Sequence, residues 1–414
     1  MKRTIALGVF VCLFFCLPTG AQNITLTVSA GAYDRENCVV SAVVPELDGA
    51  KDWAVSELKG KKTEKLPSQT IQEDGKTVVY WVLTGKTKAG ATRTFVAKPA
   101  KPSAKPLMTV EDTHKALILK NDKKNVLQYN YAHVDPPEGV DAAYGRSGFI
   151  HPAWSPAGNV LTNLSPKDHR HHFGIWNPWT RVVYAGTLYD LWNIGDKTGT
   201  VRARNVENTY SGNVFAGYTA GLDHYIFTPQ EEKIVMNELW KVKTWNVPGG
   251  FLWDFESHLH PATALPVLLQ AYRYAGFGFR ATEEWTKENC VMVTSEEKTR
   301  QEIDGTSARW IYITGDTKTG RSGLLFLGHP ENHNAPEPLR IWDENANGGR
   351  GDAFINFAPT KNEDWELAPN GHYVLKYRVF SYEGEMTKEQ ADRLWNDFAY
   401  PPAIKTITFF YGHH

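Results

Sequence analysis

The stretch Trp253-Asp254-Phe255-Glu256-Ser257-His258-Leu259-His260 alternates between apolar and polar or small side chains. Successive side chains of a β-strand point to opposite faces, so this period of two predicts a strand. A strand with one apolar face belongs in an antiparallel sheet that packs on a second layer. The stretch therefore predicts a β-sandwich. Its polar face would carry Asp254, Glu256, His258 and His260.

Similar short strand patterns, separated by turn residues, dominate the chain from residue 107 onward. The other candidates are 116–119, 125–129, 182–184, 201–204, 233–245, 308–314, 323–327 and 373–382. So many strands exceed an immunoglobulin-sized module, and we expect a large, mostly antiparallel sandwich over 107–414. One helix is expected near the end, with Thr387 as its N-cap and Gln390 at the capping-box position.

The first hundred residues predict two further units. Residues 1–21 resemble a secretory signal peptide, because Lys2 and Arg3 precede an apolar run and then small residues, and we expect a periplasmic or extracellular protein. Residues 22–97 predict a small N-terminal β-sandwich. Residues 98–106 contain three prolines and predict an extended linker.

Composition excludes some functions. The 414 residues carry a formal net charge of −1 and no basic block, which argues against nucleic-acid binding. After the predicted signal peptide, no apolar run is long enough to cross a membrane. Cys38 and Cys290 would then be the remaining cysteines, and two buried free thiols are favoured over a disulfide between different domains.

The segment Asp168-His169-Arg170-His171-His172 concentrates groups that carry chemistry. On an extended segment His169 and His171 would share a face, and His172 would point the other way. With His260 as a third ligand, His169 and His171 could hold a divalent metal. Alternatively they act as acid/base groups, one of them oriented by Asp168. The plainer alternative is a polar turn whose histidines cap backbone groups.

Two other regions add candidates. On the strand quoted first, Glu256 and His258 are catalytic candidates. The alternative, given equal weight, is that this polar face is simply exposed to solvent and has no function. The loop 328–336 follows an apolar strand, and binding residues concentrate in such loops. An indole stacks well on a sugar face and a guanidinium clamps polar groups. The substrate-binding candidates are Trp176, His172, Arg280, His329, His333 and Arg340.

Together these segments resemble a family of secreted bacterial proteins called PmoA-like and often labelled methane oxygenase. The resemblance rests on residues 146–158, on 168–172 with Trp176, on His329-Pro330 with His333, and on 375–379. It implies a sandwich similar to galactose mutarotase and a setting among carbohydrate-degradation genes. Where family members commonly carry Lys-Glu-Gly, this chain has Arg273-Tyr274-Ala275-Gly276. Methane oxidation itself is excluded, because a membrane monooxygenase subunit needs apolar spans.

We therefore expect a secreted or periplasmic carbohydrate-active enzyme. It would cleave a glycan or glycoside, as a hydrolase or a lyase, in a cleft lined by histidine and tryptophan. Two alternatives stay open. One is a glycan-binding protein without catalysis, and the other is a metal-dependent redox enzyme with a histidine-rich site.

Overall fold

The structure is a computed structural model that describes residues 23–46, 52–102 and 105–409. The predicted signal peptide lies outside these residues. The described part is almost entirely antiparallel β-structure, arranged as a small sandwich followed by a large one. The predicted all-β class is confirmed. Within this part, no helix has both the length and the apolar character needed to cross a membrane.

The small sandwich packs a sheet of strand order β28-β1-β7-β3-β4 against a sheet of order β2-β6-β5. Its strands are β1 (Asn23–Ser29), β2 (Arg35–Val44), β3 (Asp52–Lys59), β4 (Lys62–Lys65), β5 (Ser68–Glu73), β6 (Lys76–Thr87), β7 (Thr92–Ala100) and β28 (Ala403–Phe409). Alternate residues such as Leu26, Trp53 and Trp81 fill the core between the sheets. Cys38 lies in this core as a free thiol.

Two predictions at the edges of this sandwich were wrong. Strand β28 pairs with β1, so the end of the chain returns to the small sandwich and does not belong to the large one. Strand β7 runs to Ala100, inside the predicted linker. Proline is tolerated there, because β7 pairs with β1 only as far as Ala97 and Pro99 faces β3 alone. On the side where β1 no longer pairs with β7, the missing N–H of Pro99 therefore removes no hydrogen bond between strands.

The large sandwich contains two eight-stranded sheets, of orders β24-β25-β20-β12-β11-β10-β9-β8 and β15-β16-β17-β18-β27-β23-β22-β21, and a smaller sheet of order β14-β13-β19-β26. Its strands are β8 (Met108–Asp112), β9 (Ala116–Asn121), β10 (Lys124–Asn130), β11 (Phe149–Ala153), β12 (Ile175–Trp176), β13 (Val182–Tyr184), β14 (Thr187–Tyr189), β15 (Gly199–Tyr210), β16 (Phe215–Phe227), β17 (Glu232–Trp245), β18 (Phe251–Pro261), β19 (Val267–Leu269), β20 (Gly278–Arg280), β21 (Cys290–Thr294), β22 (Trp310–Thr317), β23 (Gly320–Gly328), β24 (Leu339–Ile341), β25 (Phe354–Phe357), β26 (Trp365–Leu367) and β27 (Tyr373–Glu383).

Strand β18 has the alternation that its sequence predicts. Trp253, Phe255 and Leu259 are buried in the core between the large sheets. The opposite face of the same sheet turns toward the small sandwich, where Tyr80 packs on Trp245 with ring centroids 5.7 Å apart. On this outer face Asp254 accepts hydrogen bonds from Arg378 and from the indole of Trp245. Asp254 and Glu256 therefore border the contact between the two sandwiches, whereas His258 and His260 pack on His372 of the large one.

The predicted helix is α2 (Lys388–Ala399), and the short turn α1 (Ala346–Gly349) precedes it; single 3-10 turns occur at Ala142–Tyr144 and Ile194–Asp196. The capping box of α2 is confirmed, since the Thr387 hydroxyl accepts from Gln390 N and the Gln390 side chain accepts from Thr387 N. Trp395 of α2 packs over the outer face of β22 and β23. Asp397 forms a buried ion pair with Arg35 at 2.9 Å. The helix thus joins the two sandwiches.

Candidate functional site

A pocket of about 310 Å³ opens beside the first large sheet, where the neighbouring strands β12, β20, β25 and β24 end. The loop between β11 and β12 brings the histidine segment to the pocket, and β20, β24 and β25 carry or precede its other walls. The residues lining it include His169, His171, His172, Asn193, Arg273, Tyr274, Arg340 and Trp342.

The histidine segment is a pair of turns, so the prediction of an extended segment was wrong. His169 N donates to Pro166 O at 3.1 Å, and His172 N donates to His169 O at 3.0 Å. These turns bring the three imidazoles together. The ring centroids of His169 and His171 are 5.5 Å apart, and each lies 4.9 Å from that of His172. The side chains contact one another and Trp342, so they form a wall of the pocket.

Asp168 orients His169, as one of the sequence hypotheses predicted. Asp168 Oδ2 lies 2.7 Å from His169 Nδ1 and accepts hydrogen bonds from Arg280 at 3.2 Å and Arg350 at 2.9 Å. Burial alone would raise the pKa of Asp168, but the His169 hydrogen bond and the Arg280 charge outweigh it and lower this pKa to about 2. The carboxylate therefore stays ionised and holds the proton of His169 on Nδ1, which leaves Nε2 free to accept one.

The other two imidazoles are neutral at neutral pH. Burial, with a smaller contribution from the charge of His169, lowers the pKa of His171 to about 4. Burial also holds the pKa of His172 well below its ordinary value. His172 is enclosed by Trp176, Trp342 and Phe354, with ring centroids at 5.0, 5.4 and 5.0 Å. Neutral imidazoles can donate or accept hydrogen bonds without adding charge to the pocket.

Mild acid should destabilise the fold through such buried imidazoles. His151, whose Nδ1 lies 2.8 Å from Thr162 Oγ1, has a pKa lowered by burial from 6.5 to about 4, as has His171. Because the folded pKa is below the unfolded one, each group stabilises the fold above pH 6.5 and loses this contribution as the pH falls toward 4. We expect the free energy of unfolding in urea to fall over this window. In His151→Gln, the slope of the unfolding free energy against pH should correspond to the uptake of about one proton fewer than in the wild type. An unchanged slope would contradict the lowered pKa of His151.

Two predicted substrate contacts lie behind the pocket. Trp176 is fully buried and packs on Trp192 with centroids 4.9 Å apart, so its indole has no exposed face for a sugar. Arg280 is only 3 % exposed; it bonds to Asp168 and stacks over Trp342 at 4.7 Å. Two other indoles, those of Trp192 and Trp342, do line the pocket beside the three histidines. Arg280 acts on the pocket by holding Asp168.

Glu256 and His258, the catalytic candidates on β18, do not lie in the pocket with the histidine segment. Both lie on the outer face of β18, away from the pocket, with His258 Nε2 3.0 Å from Glu256 and His258 Nδ1 2.9 Å from His372. His260 stacks on His372 with centroids 4.5 Å apart. His260 therefore does not join His169 and His171. Across the described ranges no three or more histidine, cysteine or acidic side chains are placed to hold a metal, so the predicted metal triad was wrong.

The loop 328–336 keeps its two predicted contact residues, His329 and His333, outside the pocket. His333 stacks on Trp365 with centroids 4.2 Å apart, and the His329 ring packs on Phe398. Neither lines the pocket. Arg340, which follows this loop on β24, does line it, and its guanidinium forms an ion pair with Asp304 at 2.7 Å. The loop thus fixes the strand that presents Arg340.

Several residues that the sequence did not single out as site residues complete the pocket. Arg273 lies over the rings of Tyr272 and Tyr274, at 5.7 and 5.5 Å from their centroids. The Tyr274 hydroxyl is held by Asn193 at 3.0 Å. The signal for this region was the run Arg273-Tyr274-Ala275-Gly276, which stood out in the sequence only because PmoA-like proteins commonly carry Lys-Glu-Gly there. Outside the lining, Arg350 bridges Asp168 at 2.9 Å and Asp352 at 2.5 Å.

A buried polar cluster lies just behind this wall, between the large sheets. Glu238 accepts hydrogen bonds from Asn177 Nδ2 at 2.6 Å and Ser257 Oγ at 2.5 Å, and lies 2.8 Å from His224 Nε2. Asn177 directly follows Trp176, which backs His172. The cluster therefore anchors the segment that carries the pocket wall.

Comparisons with known proteins give a family and distant structural likenesses. No curated protein matches the chain. An α-mannosidase from Enterococcus faecalis V583 aligns at 8 % identity over 95 % of this chain and 46 % of that one, with a TM-score of 0.46. A glycosyl hydrolase family 38 protein from Enterococcus faecalis aligns at 8 % identity over 95 % and 48 %, with a TM-score of 0.44. A polysaccharide lyase aligns at 14 % identity over 68 % and 33 %, with a TM-score of 0.28. The chain spans about half the length of the first two.

The family match overturns one prediction. It covers residues 116–396, which include the histidine segment, and it is not to a PmoA-like or methane oxygenase family. The resemblance to the PmoA-like family was therefore wrong. The chain belongs to the family described as Family of unknown function (DUF6807).

Proposed function

We propose that this chain is a carbohydrate-active enzyme that cleaves a glycan or glycoside by proton transfer at His169, in the periplasm or outside the cell. The observation that carries the proposal is the Asp168–His169 pair at 2.7 Å in the wall of the pocket. A carboxylate that fixes the imidazole tautomer makes the other ring nitrogen a general base. The signal-like residues 1–21 support the location.

The pocket suits a small polar ligand. Its volume of about 310 Å³ lies at the lower end of the range of ligand pockets. Its walls offer imidazoles, guanidinium groups, the Asn193 amide and the Tyr274 hydroxyl. These groups match the hydroxyls of a saccharide by hydrogen bonding, and the indoles of Trp192 and Trp342 line the same pocket.

Hydrolysis by a pair of carboxylates has little support here. That mechanism needs two acids on opposite sides of the scissile bond, one of them protonated. Asp168 is bonded to Arg280 and Arg350, and Asp352 is bonded to Arg350. Glu256 lies on the other face of the sandwich. An imidazole is thus the best-placed proton acceptor, which favours lyase-type cleavage.

Turnover tests the proposal. The purified protein is incubated with plant and host glycans, and the products are separated by size and charge. We expect shortened saccharides from the wild type and from His260→Ala, which alters an exposed histidine outside the pocket. Binding without any product from the wild type would contradict the proposal and identify a glycan-binding protein.

A further inference from the structure

The charges around the pocket are not balanced. Asp304 is paired with Arg340 at 2.7 Å, and Asp168 and Asp352 are both bonded to Arg350. Arg273 also lines the pocket, and none of the described carboxylates forms an ion pair with it. Of the two arginines among the described residues that line the pocket, Arg340 is thus paired, and Arg273 is the one without an ion-pair partner.

Arg273 is nevertheless held in place. Its guanidinium lies over the faces of Tyr272 and Tyr274, an arrangement that stabilises a cation without neutralising it. A guanidinium offers a planar fork of donors that matches a carboxylate bidentately. The pocket therefore presents an oriented anion-binding group beside the Asp168–His169 pair and the Tyr274 hydroxyl.

We propose that the substrate is an acidic saccharide whose uronate carboxylate binds Arg273, and that the chain cleaves it by β-elimination. This inference rests on the proposed function and names its substrate class. Binding of the carboxylate by a guanidinium stabilises the negative charge that develops when the adjacent C5 proton is removed. Arg273 thus both selects the acidic sugar and makes its C5 proton easier to abstract.

The step balances without a further reactant. His169 Nε2 takes the proton from C5, and the electron pair of the C–H bond forms the C4=C5 double bond. The C4–O4 bond breaks with its electrons on oxygen, and O4 takes a proton from the Tyr274 hydroxyl. Burial raises the pKa of Tyr274, so its phenol is protonated at neutral pH and can donate. The products are a shortened saccharide and a 4,5-unsaturated uronate, and the two side chains recover their protonation states by exchange with water.

Oligouronates and their methyl esters provide the test, because esterification removes the negative charge and keeps the sugar ring. The probes are oligomers of galacturonate, glucuronate and mannuronate, each with its ester, and a neutral oligoglucoside. We expect cleavage of at least one free acid, with ultraviolet absorbance from the new C4=C5 bond. Affinity for that acid should fall about 10- to 100-fold in Arg273→Gln and less in Arg273→Lys.

One variant separates binding from chemistry, and a second serves as its control. Tyr274→Phe should bind the same acid but cleave it at least tenfold more slowly. Arg202→Gln is the matched control, because Arg202 also lies over two aromatic rings, Tyr225 and Phe227, but outside the pocket; it should behave as the wild type.

Each other result overturns a stated part. Cleavage of neutral saccharides or esters without the absorbance, unaffected by Arg273→Gln, would overturn this inference and leave the proposed function intact. Binding of the acid without cleavage would overturn the elimination step. Equal affinity for acid and ester would overturn the role of Arg273. Failure to bind or cleave any saccharide would overturn both proposals.

Discussion

Replacing His169 by glutamine should lower kcat by about 10²- to 10⁴-fold, the usual contribution of a positioned general base. Glutamine keeps a polar side chain in the turn but cannot take up a proton at neutral pH. The pocket wall should survive, because His171 and His172 keep their contacts with each other and His172 keeps those with Trp342 and Phe354. KM should therefore change much less than kcat. The measurement is steady-state kinetics on whichever saccharide the wild type cleaves.

Asp168→Asn is the companion variant. An amide in place of the carboxylate can no longer fix the proton on His169 Nδ1, so a similar loss of kcat is expected with the imidazole still present. His260→Ala serves as the control, since His260 stacks on His372 outside the pocket. Wild-type kcat in His169→Gln would remove His169 from the mechanism, whatever the effect of Asp168→Asn.

The strands could be predicted where burial is one-sided. Strand β18 alternates because one of its faces is in the core and the other carries polar side chains that bond within the outer surface of the same sheet. Strand β16 (Phe215–Phe227) was missed because nearly all its residues are buried, so no alternation marks it. This omission also hid His224 and, with it, the buried cluster around Glu238.

The sequence could single out the histidine segment that lines the pocket, but not the other residues of the lining. A dense run of histidines is visible in sequence, whereas the residues opposite it come from distant segments, among them Arg273 and Asn193. Alternation separates the two faces of a strand but does not say what each face meets. The polar face of β18 could therefore be identified, yet its contact with the small sandwich, and hence the separation of His260 from His169, follows only from how the sheets pack.

The turns at the histidine segment could not be predicted from a strand pattern. The sequence interpretation assumed an extended backbone, in which residues i and i+2 share a face. The hydrogen bond from His169 N to Pro166 O instead closes a turn. In turns, neighbouring side chains can converge, which is why His172 joins His169 and His171. The prediction that imidazoles come together here therefore held although the backbone conformation was wrong, because all three histidines lie close together in sequence.

Replacing Glu238 by alanine should lower the free energy of unfolding by about 3–5 kcal/mol, because it strips acceptors from donors that are buried between the sheets. Ser257 Oγ would lose its acceptor, and Asn177 Nδ2 would keep only its 3.1 Å hydrogen bond to Ser257 Oγ. The imidazole of His224 would lose its only described hydrogen-bond partner. His224, Glu238 and Ser257 are each at most 1 % exposed, so water cannot readily replace the lost bonds. Urea unfolding at neutral pH measures the loss.

Two comparisons test the cause of this loss. Glu238→Gln keeps one acceptor oxygen and should cost less than alanine. Glu64→Ala removes an exposed carboxylate paired with Lys59 and should cost under about 1 kcal/mol. If Glu238→Ala were as mild as Glu64→Ala, the cluster would not stabilise the sandwich. If the loss of stability is severe, Asn177 loses its anchor next to Trp176, and the pocket wall that rests on Trp176 is no longer held in place. The variant should then lose activity at temperatures where the fold still holds.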